Sequence, residues 1–167
     1  MEGIVDGSIN HSTQGKKEEV CVLFSDIRDF TTRSESLSAE QTIALLNRYF
    51  NKMVTVIHRN GGTVDKFIGD GLMAFFGAPN SVPNTSSASL RAAQEMKSAL
   101  KELNDALEES AEPIDIAIGI HRGECVVGHV GADDRSEYTV IGDVVNVASR
   151  LEGVAKNSGS AIVVSDD

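Results

Sequence analysis

The order of strands and helices that the sequence predicts indicates an α+β fold. Two long stretches with helical apolar spacing, an Asp-Gly turn between two apolar runs and a third helix between short strands give the order β-α-β-β-α-β-β-β-α-β. This order contains the βαββαβ unit of ferredoxin-like folds, in which helices cover an antiparallel sheet on one face. We therefore expect a ferredoxin-like core with an antiparallel-rich sheet, added strands and one added helix.

The first part of the chain predicts a strand and a long helix. The apolar run CVLF leads directly to Ser25 and Asp26, which therefore stand at the end of a strand. Ser38 and Gln41 have the spacing of a capping box, which marks the start of a helix. Until Gly61, the apolar residues recur at helical spacing, as Leu46, Tyr49, Phe50, Met53 and Ile57.

A hairpin is predicted directly after this helix. Residues 63–67 and 72–76 are largely apolar runs on either side of IGDG, and Asp-Gly between such runs is a strong hairpin signal. Asp70 is therefore expected at the hairpin tip. Because the first strand is central in a ferredoxin-like sheet and pairs with this hairpin, we expect Asp26 and Asp70 to converge.

The middle of the chain predicts a second long helix and a second hairpin. The helix follows Pro83, and its apolar face consists of Leu90, Ala93, Met96, Leu100, Leu103 and Leu107. Alternating isoleucines then indicate a strand over 114–120. The polar segment HRGE is expected to turn the chain into a strand at 125–130, and residues 138–141 form another short strand.

A third helix is predicted between Gly142 and Gly159, before a strand at 161–164. Asn146 and Arg150 lie four residues apart and share a face of this helix. An amide beside a permanently charged guanidinium suits the negative charge that develops on phosphorus during displacement. Taken without context, the same pair is better interpreted as an ordinary surface Asn and Arg.

Composition and charge restrict the classes of protein. The 167 residues, 41% of them hydrophobic, suit one compact domain after a polar stretch, residues 1–18, that has the composition of a linker or the cut end of a longer chain. A formal charge of −10 disfavours nucleic acid as a partner. Cys21 and Cys125 are expected to be reduced core thiols. The chain has no apolar run of about 18 residues, so we expect no membrane insertion of this domain and a cytoplasmic location, although a parent protein could be membrane-anchored.

Two carboxylates that converge predict a metal site. Asp26 and Asp70 a few ångströms apart would repel each other unless divalent cations lay between them, as in two-metal phosphoryl-transfer sites. Magnesium is the cation that such oxygen ligands favour. Taken singly, Asp26 is better interpreted as a cap for the following segment and Asp70 as a turn residue, but the two together at these strand ends favour metal binding.

Four segments give the chain a resemblance to a known family. FSDIRDFT, GGTVDKFIGDGLMAFFG, GIHRGECVVGHVG and YTVIGDVVNVASRLEG resemble, in order, the signature segments of class III nucleotidyl cyclases, especially bacterial and cyanobacterial adenylyl cyclase catalytic domains. The resemblance begins at about residue 19 and extends to residue 167. It implies the class III cyclase fold and the conversion of ATP to cyclic AMP and pyrophosphate in signal transduction.

The resemblance also implies roles for particular residues. It assigns two Mg²⁺ ions, replaceable by Mn²⁺, to Asp26 and Asp70, and it assigns ribose positioning and transition-state stabilisation to Asn146 and Arg150. Backbone amides of Ile27, Phe30 and Thr31 would contact the phosphates, and Lys66 and Thr139 would contact the base. The family places each active site across a head-to-tail homodimer, in which one subunit holds the metals and the other supplies Lys66, Asn146 and Arg150.

The polarity of the base edge favours ATP as the substrate. Lys66 only donates and Thr139 can accept, which matches the N1 acceptor and N6 donor of adenine, whereas guanylyl cyclases typically carry an acidic residue at the position of Lys66. The alternatives are a guanylyl cyclase, or a nucleotide-binding and dimerising module with impaired catalysis. Family members continue into a stretch with a lysine that contacts the triphosphate, so we expect residues 19–167 to lack that final segment and to be weakly active or inactive. Upstream sensory domains are expected in the parent chain.

Overall fold

The fold is described from a computed structural model that covers residues 15–107 and 111–165. The strands are β1 (Lys16–Ile27), β2 (Thr63–Ile68), β3 (Gly71–Phe76), β4 (Ile116–Ala132), β5 (Arg135–Ile141) and β6 (Ile162–Val164). The helices are α1 (Phe30–Glu35), α2 (Ala39–Arg59), α3 (Thr85–Asp105) and α4 (Asp143–Ser158). In these described ranges, no helix is both long and apolar enough to cross a bilayer.

The strands form one sheet with β1 near its centre. The order is β2-β3-β1-β4-β5, and the short β6 pairs in parallel with β4 while the other pairs are antiparallel. Strands β1 to β4 with the crossing helices α2 and α3 make up the βαββαβ unit. The predicted ferredoxin-like core is therefore confirmed.

Side chains that alternate along β1 build two separate apolar clusters, one on each face of the sheet. Leu23 and Ile27 belong to the cluster that α2 and α3 cover. Val20 and Val22 belong to the other cluster, together with Val144 of α4. Helices thus cover both faces, because α4 packs on the face opposite the two helices of the ferredoxin-like unit.

The start of α2 and the β2–β3 turn agree with the sequence predictions. Ser38 Oγ accepts from the Gln41 amide at 3.1 Å, and Gln41 Oε1 accepts from the Ser38 amide at 2.9 Å, which completes the capping box. The chain reverses at Gly69 and Asp70 between β2 and β3. Both features depend on a few neighbouring residues, which is why local patterns predict them.

The hairpin that we predicted at HRGE is wrong, because β4 continues through that segment. Arg122 pairs with Cys21 and Gly123 pairs with Val20, so the long strand β1 supplies backbone partners for these polar residues. The chain turns only after Ala132, and β5 then pairs with the outer half of β4. A partner strand here overrides a local preference for a turn.

Two smaller expectations also change. Leu90 is exposed instead of buried, because the first turns of α3 face the core with small residues such as Ala88 and Ala92. Strand β1 begins at Lys16 and so includes part of the stretch that we interpreted as a linker or cut end. Residues 1–14 of that stretch lie outside the described residues.

Candidate active site

Asp26 and Asp70 meet where the β2–β3 hairpin reaches the end of β1. The Ile27 amide donates to Asp26 Oδ1 at 3.0 Å and to Asp70 Oδ2 at 3.2 Å, so one N–H group bridges the two carboxylates. Gly71 permits the approach, because a Cβ atom there would lie 2.9 Å from the Ser25 carbonyl oxygen. The carboxylates converge as expected, and their role as metal ligands stays a prediction.

The two carboxylates perturb each other. Burial, the hydrogen bond with Asp26 and repulsion from its charge raise the pKa of Asp70 to about 6. Burial also raises the pKa of Asp26, but hydrogen bonds with Asp70 and Lys156 and the charge of Lys156 outweigh it and lower that pKa overall. The pair therefore holds a proton more tightly than two separate aspartates would, with Asp70 as the more basic group.

The carboxylate pair fits a hard divalent cation. Magnesium in proteins is commonly bound by one or two carboxylates, with phosphates and water as its other ligands. In residues 15–107 and 111–165, His, Cys, Asp and Glu side chains form no group of three or more that could hold a metal. Water or a phosphate would complete the coordination of a cation at this pair, and the cation would relieve the repulsion between the two charges.

Lys156 belongs to this site and was missed by the sequence analysis. Its Nζ atom lies 2.8 Å from Asp26 Oδ2. Close packing brings this end of α4 to the site, because a Cβ atom at Gly119 of β4 would lie 2.1 Å from the Glu152 amide nitrogen. Lys156 and Asp26 are 130 residues apart, so no local sequence signal could have paired them.

Arg28 holds the same end of α4 in place. Its guanidinium donates to the carbonyl oxygens of Ala155 at 2.8 Å, Lys156 at 2.9 Å and Ser160 at 2.5 Å, and it lies 3.2 Å from a carboxylate oxygen of Asp115. Carbonyl groups at the end of a helix lack partners within the helix, and Arg28 supplies them. Arg28 therefore fixes the position of Lys156 relative to the strand end.

Lys66 and Thr139 come together where β2 meets β5. Thr139 Oγ1 donates to Asp65 Oδ2, and Lys66 Nζ lies 3.7 Å from Asp65 Oδ1. The two strands occupy opposite ends of the sheet order, so this contact comes from the curvature of the sheet. Asp65 is the second residue that the sequence analysis missed, because nothing local links it to Thr139.

In the described residues, Lys66, Asn146 and Arg150 make no hydrogen bond or ion pair with the carboxylate pair. Asn146 and Arg150 are exposed on α4. In the described part of the chain, Asp26 accepts from Lys156, and both carboxylates accept from the Ile27 amide. Within the described part of one chain, the carboxylate pair is therefore not bonded to Lys66, Asn146 or Arg150.

The predicted phosphate-binding amides differ in their present partners. The Ile27 amide is engaged with the two carboxylates. Phe30 and Thr31 form the first turn of α1, where N–H groups have no acceptor within the helix, and Asp29 provides no side-chain cap. Phe30 and Thr31 are thus the better placed of the three for a phosphate.

The fold, the strand-end carboxylates and the exposed Asn and Arg on α4 define the class of nucleotidyl cyclase catalytic domains. The family model described as the adenylate and guanylate cyclase catalytic domain matches residues 13–167. The chain belongs to this family, which confirms the resemblance in the four signature segments.

Individual relatives include both adenylate and guanylyl cyclases. Adenylate cyclase 1 of Rhizobium meliloti (strain 1021) is 40% identical over 150 residues, covering 89% of this chain and 23% of that protein. Adenylate cyclase of Anabaena cylindrica is 41% identical over 152 residues, covering 87% and 29%. The crystal structure of the guanylyl cyclase Cya2 superposes with a TM-score of 0.80 at 40% identity, covering 84% of this chain and 72% of that one. The chain spans about a quarter of the length of the two curated relatives.

Proposed function

We propose that this chain is the catalytic domain of an adenylyl cyclase, which converts ATP to 3′,5′-cyclic AMP and pyrophosphate. The observation that carries the choice of ATP is the meeting of Lys66 and Thr139 through Asp65. Lys66 donates to adenine N1 and Thr139 accepts from the N6 amino group. Guanine would place its N1–H against the ammonium and its O6 against the hydroxyl oxygen. We expect a preference for ATP of at least about tenfold, since unsatisfied charged groups are costly.

The carboxylate pair and the helix residues would carry the chemistry. Asp26 and Asp70 would hold two Mg²⁺ ions, or Mn²⁺ in their place; when bound, these ions lower the pKa of the ribose 3′-hydroxyl and neutralise charge on the triphosphate. The Phe30 and Thr31 amides would donate to phosphate oxygens at the start of α1. Arg150 would donate to the α-phosphate as its negative charge grows.

The site is proposed to be shared across a head-to-tail homodimer, and the lack of any bond between the carboxylate pair and Lys66, Asn146 or Arg150 in the described residues supports this arrangement. One subunit would supply Asp26 and Asp70, and the partner subunit would supply Lys66, Thr139, Asn146 and Arg150, with Asn146 orienting the ribose. A monomer would then be nearly inactive. Because the chain spans about a quarter of its curated relatives, we also propose that sensory domains in the parent protein control this dimer.

The second candidate is a guanylyl cyclase, which the likeness to Cya2 favours. The candidates are separated by measuring cyclic AMP formed from Mg-ATP and cyclic GMP formed from Mg-GTP. Both are measured over a range of chain concentrations. We expect cyclic AMP, a specific activity that rises with concentration as dimers form, and loss of activity in Asp70→Asn. Preference for GTP would replace the proposal with the guanylyl alternative. If this chain and a longer parent chain both bind nucleotide without turnover, the result would favour the alternative of a catalytically impaired module.

A further inference from the structure

Asp65 is a buried carboxylate between the two residues proposed to read the base. Its side chain is 0% exposed, whereas that of Lys66 is 42% exposed. Strand β2 has a bulge between Val64 and Lys66, which interrupts the alternation that would otherwise point adjacent side chains to opposite faces. The bulge thus allows Asp65 and Lys66 to approach each other, with Lys66 Nζ 3.7 Å from Asp65 Oδ1.

The hydrogen bond from Thr139 to Asp65 fixes the polarity of the threonine hydroxyl. A hydroxyl has one proton to donate and two lone pairs that accept. Thr139 Oγ1 donates that proton to Asp65 Oδ2. Thr139 can therefore only accept from a third group, which suits an amino group and disfavours a carbonyl oxygen.

We propose that Asp65 is a positioning residue that selects adenine over guanine by holding the Thr139 hydroxyl as an acceptor. The proposal rests on the proposed contact of Lys66 and Thr139 with the base. Without Asp65, the hydroxyl would rotate and donate to guanine O6 as readily as it accepts from adenine N6. The selectivity of Thr139 therefore depends on its buried neighbour.

The surroundings of Asp65 predict how an amide would behave in its place. Asp65 Oδ1 is buried and makes no hydrogen bond with any described residue, and the Lys66 ammonium lies beside it. In Asp65→Asn, the ammonium favours the amide oxygen on that side, so the NH₂ group faces Thr139. That NH₂ group donates to Thr139 Oγ1 and releases the threonine proton toward the base.

The experiment compares Asp65→Asn, Thr139→Val and the double variant with the unsubstituted chain. Asp105→Asn, at the exposed end of α3, is the matched control for the loss of one carboxylate. The readouts are the dissociation constants of 3′-deoxy-ATP and 3′-deoxy-GTP, which lack the attacking hydroxyl, the kcat/KM values for ATP and GTP, and the thermal unfolding temperature. Binding of the unreactive analogues tests base selection separately from turnover.

We expect Asp65→Asn to lower the ratio of adenine to guanine affinity about tenfold, the effect of one hydrogen bond of ordinary strength, while Asp105→Asn leaves it unchanged. In the Thr139→Val background the same substitution should have no further effect on the ratio, because the hydroxyl is gone. If Asp65 had a purely structural role, Asp65→Asn would instead weaken the binding of both nucleotide analogues equally.

Three results overturn the inference. The first is an unchanged ratio of adenine to guanine affinity in folded Asp65→Asn. The second is an effect of Asp65→Asn on this ratio that persists in the Thr139→Val background. The third is that the unsubstituted chain binds neither analogue. The last result overturns the proposed function as well. If the unsubstituted chain binds the adenine analogue selectively but never cyclises ATP, the proposed activity is wrong. The affinity ratios of the variants then still test the role of Asp65.

Discussion

Removing the charge of Lys156 should strengthen cation binding at the candidate metal site. Lys156 Nζ lies 2.8 Å from Asp26 Oδ2, so a divalent cation and the ammonium compete for the same carboxylate. We expect Lys156→Gln to bind Mg²⁺ and Mn²⁺ more tightly than the unsubstituted chain does. In the variant, no ammonium has to be displaced from Asp26 and none repels the incoming cation.

The expected gain in cation affinity follows from the exposure of the Lys156–Asp26 ion pair. The Lys156 and Asp26 side chains are 43% and 23% exposed, so water screens their attraction. Exposed ion pairs contribute about 0.2–1 kcal/mol, and the short distance places this pair near the upper end. A difference of about 1 kcal/mol corresponds to about fivefold tighter cation binding.

The assay is Mn²⁺ titration without nucleotide, followed by electron paramagnetic resonance of free Mn²⁺, with Mg²⁺ measured by competition. Lys156→Arg keeps the charge and should stay close to the parent value, and Lys97→Gln, on an exposed position of α3, controls for the loss of a lysine elsewhere. Equal or weaker Mn²⁺ binding by folded Lys156→Gln would refute the competition between Lys156 and the cation.

The other predictions test the carboxylate pair, the shared site and the base contact. Because the pKa of Asp70 is raised from 3.8 to about 6, the folded chain binds this proton more tightly than the unfolded chain, and stability falls as pH rises through that window. Asp70→Asn should therefore lose cyclisation yet unfold about 2–4 °C higher at neutral pH without divalent cations, after discounting for solvent screening; a lower unfolding temperature would contradict this account. Mixing inactive Asp26→Ala and Arg150→Ala chains should restore part of the activity, since one site of the heterodimer is intact, and no recovery in a verified heterodimer would exclude the shared site. Lys66→Glu should lose most ATP turnover and gain some GTP turnover in kcat/KM measurements, whereas an unchanged preference would mean that Lys66 does not contact the base.

The sequence by itself determined the elements whose causes lie within a few residues. The capping box of Ser38 and Gln41 places the start of α2, and the Asp-Gly turn places Asp70 at a hairpin tip. The strand that carries Asp26 near its end and the face shared by Asn146 and Arg150 follow from periodicity in the same way. These short-range rules also supplied Asp26, Asp70, Asn146 and Arg150 as candidates. The resemblance to the cyclase family supplied the others, which are Lys66, Thr139, Ile27, Phe30 and Thr31.

Only the tertiary structure decided which distant residues meet. Pairing with β1 keeps β4 extended through HRGE, although the local residues favour a turn. Asp65 reaches Thr139 across 74 residues, and Lys156 reaches Asp26 across 130. These contacts depend on sheet curvature and on the close approach of α4 to β4 at Gly119. Both arise from the packing of whole elements, which no short stretch of sequence encodes.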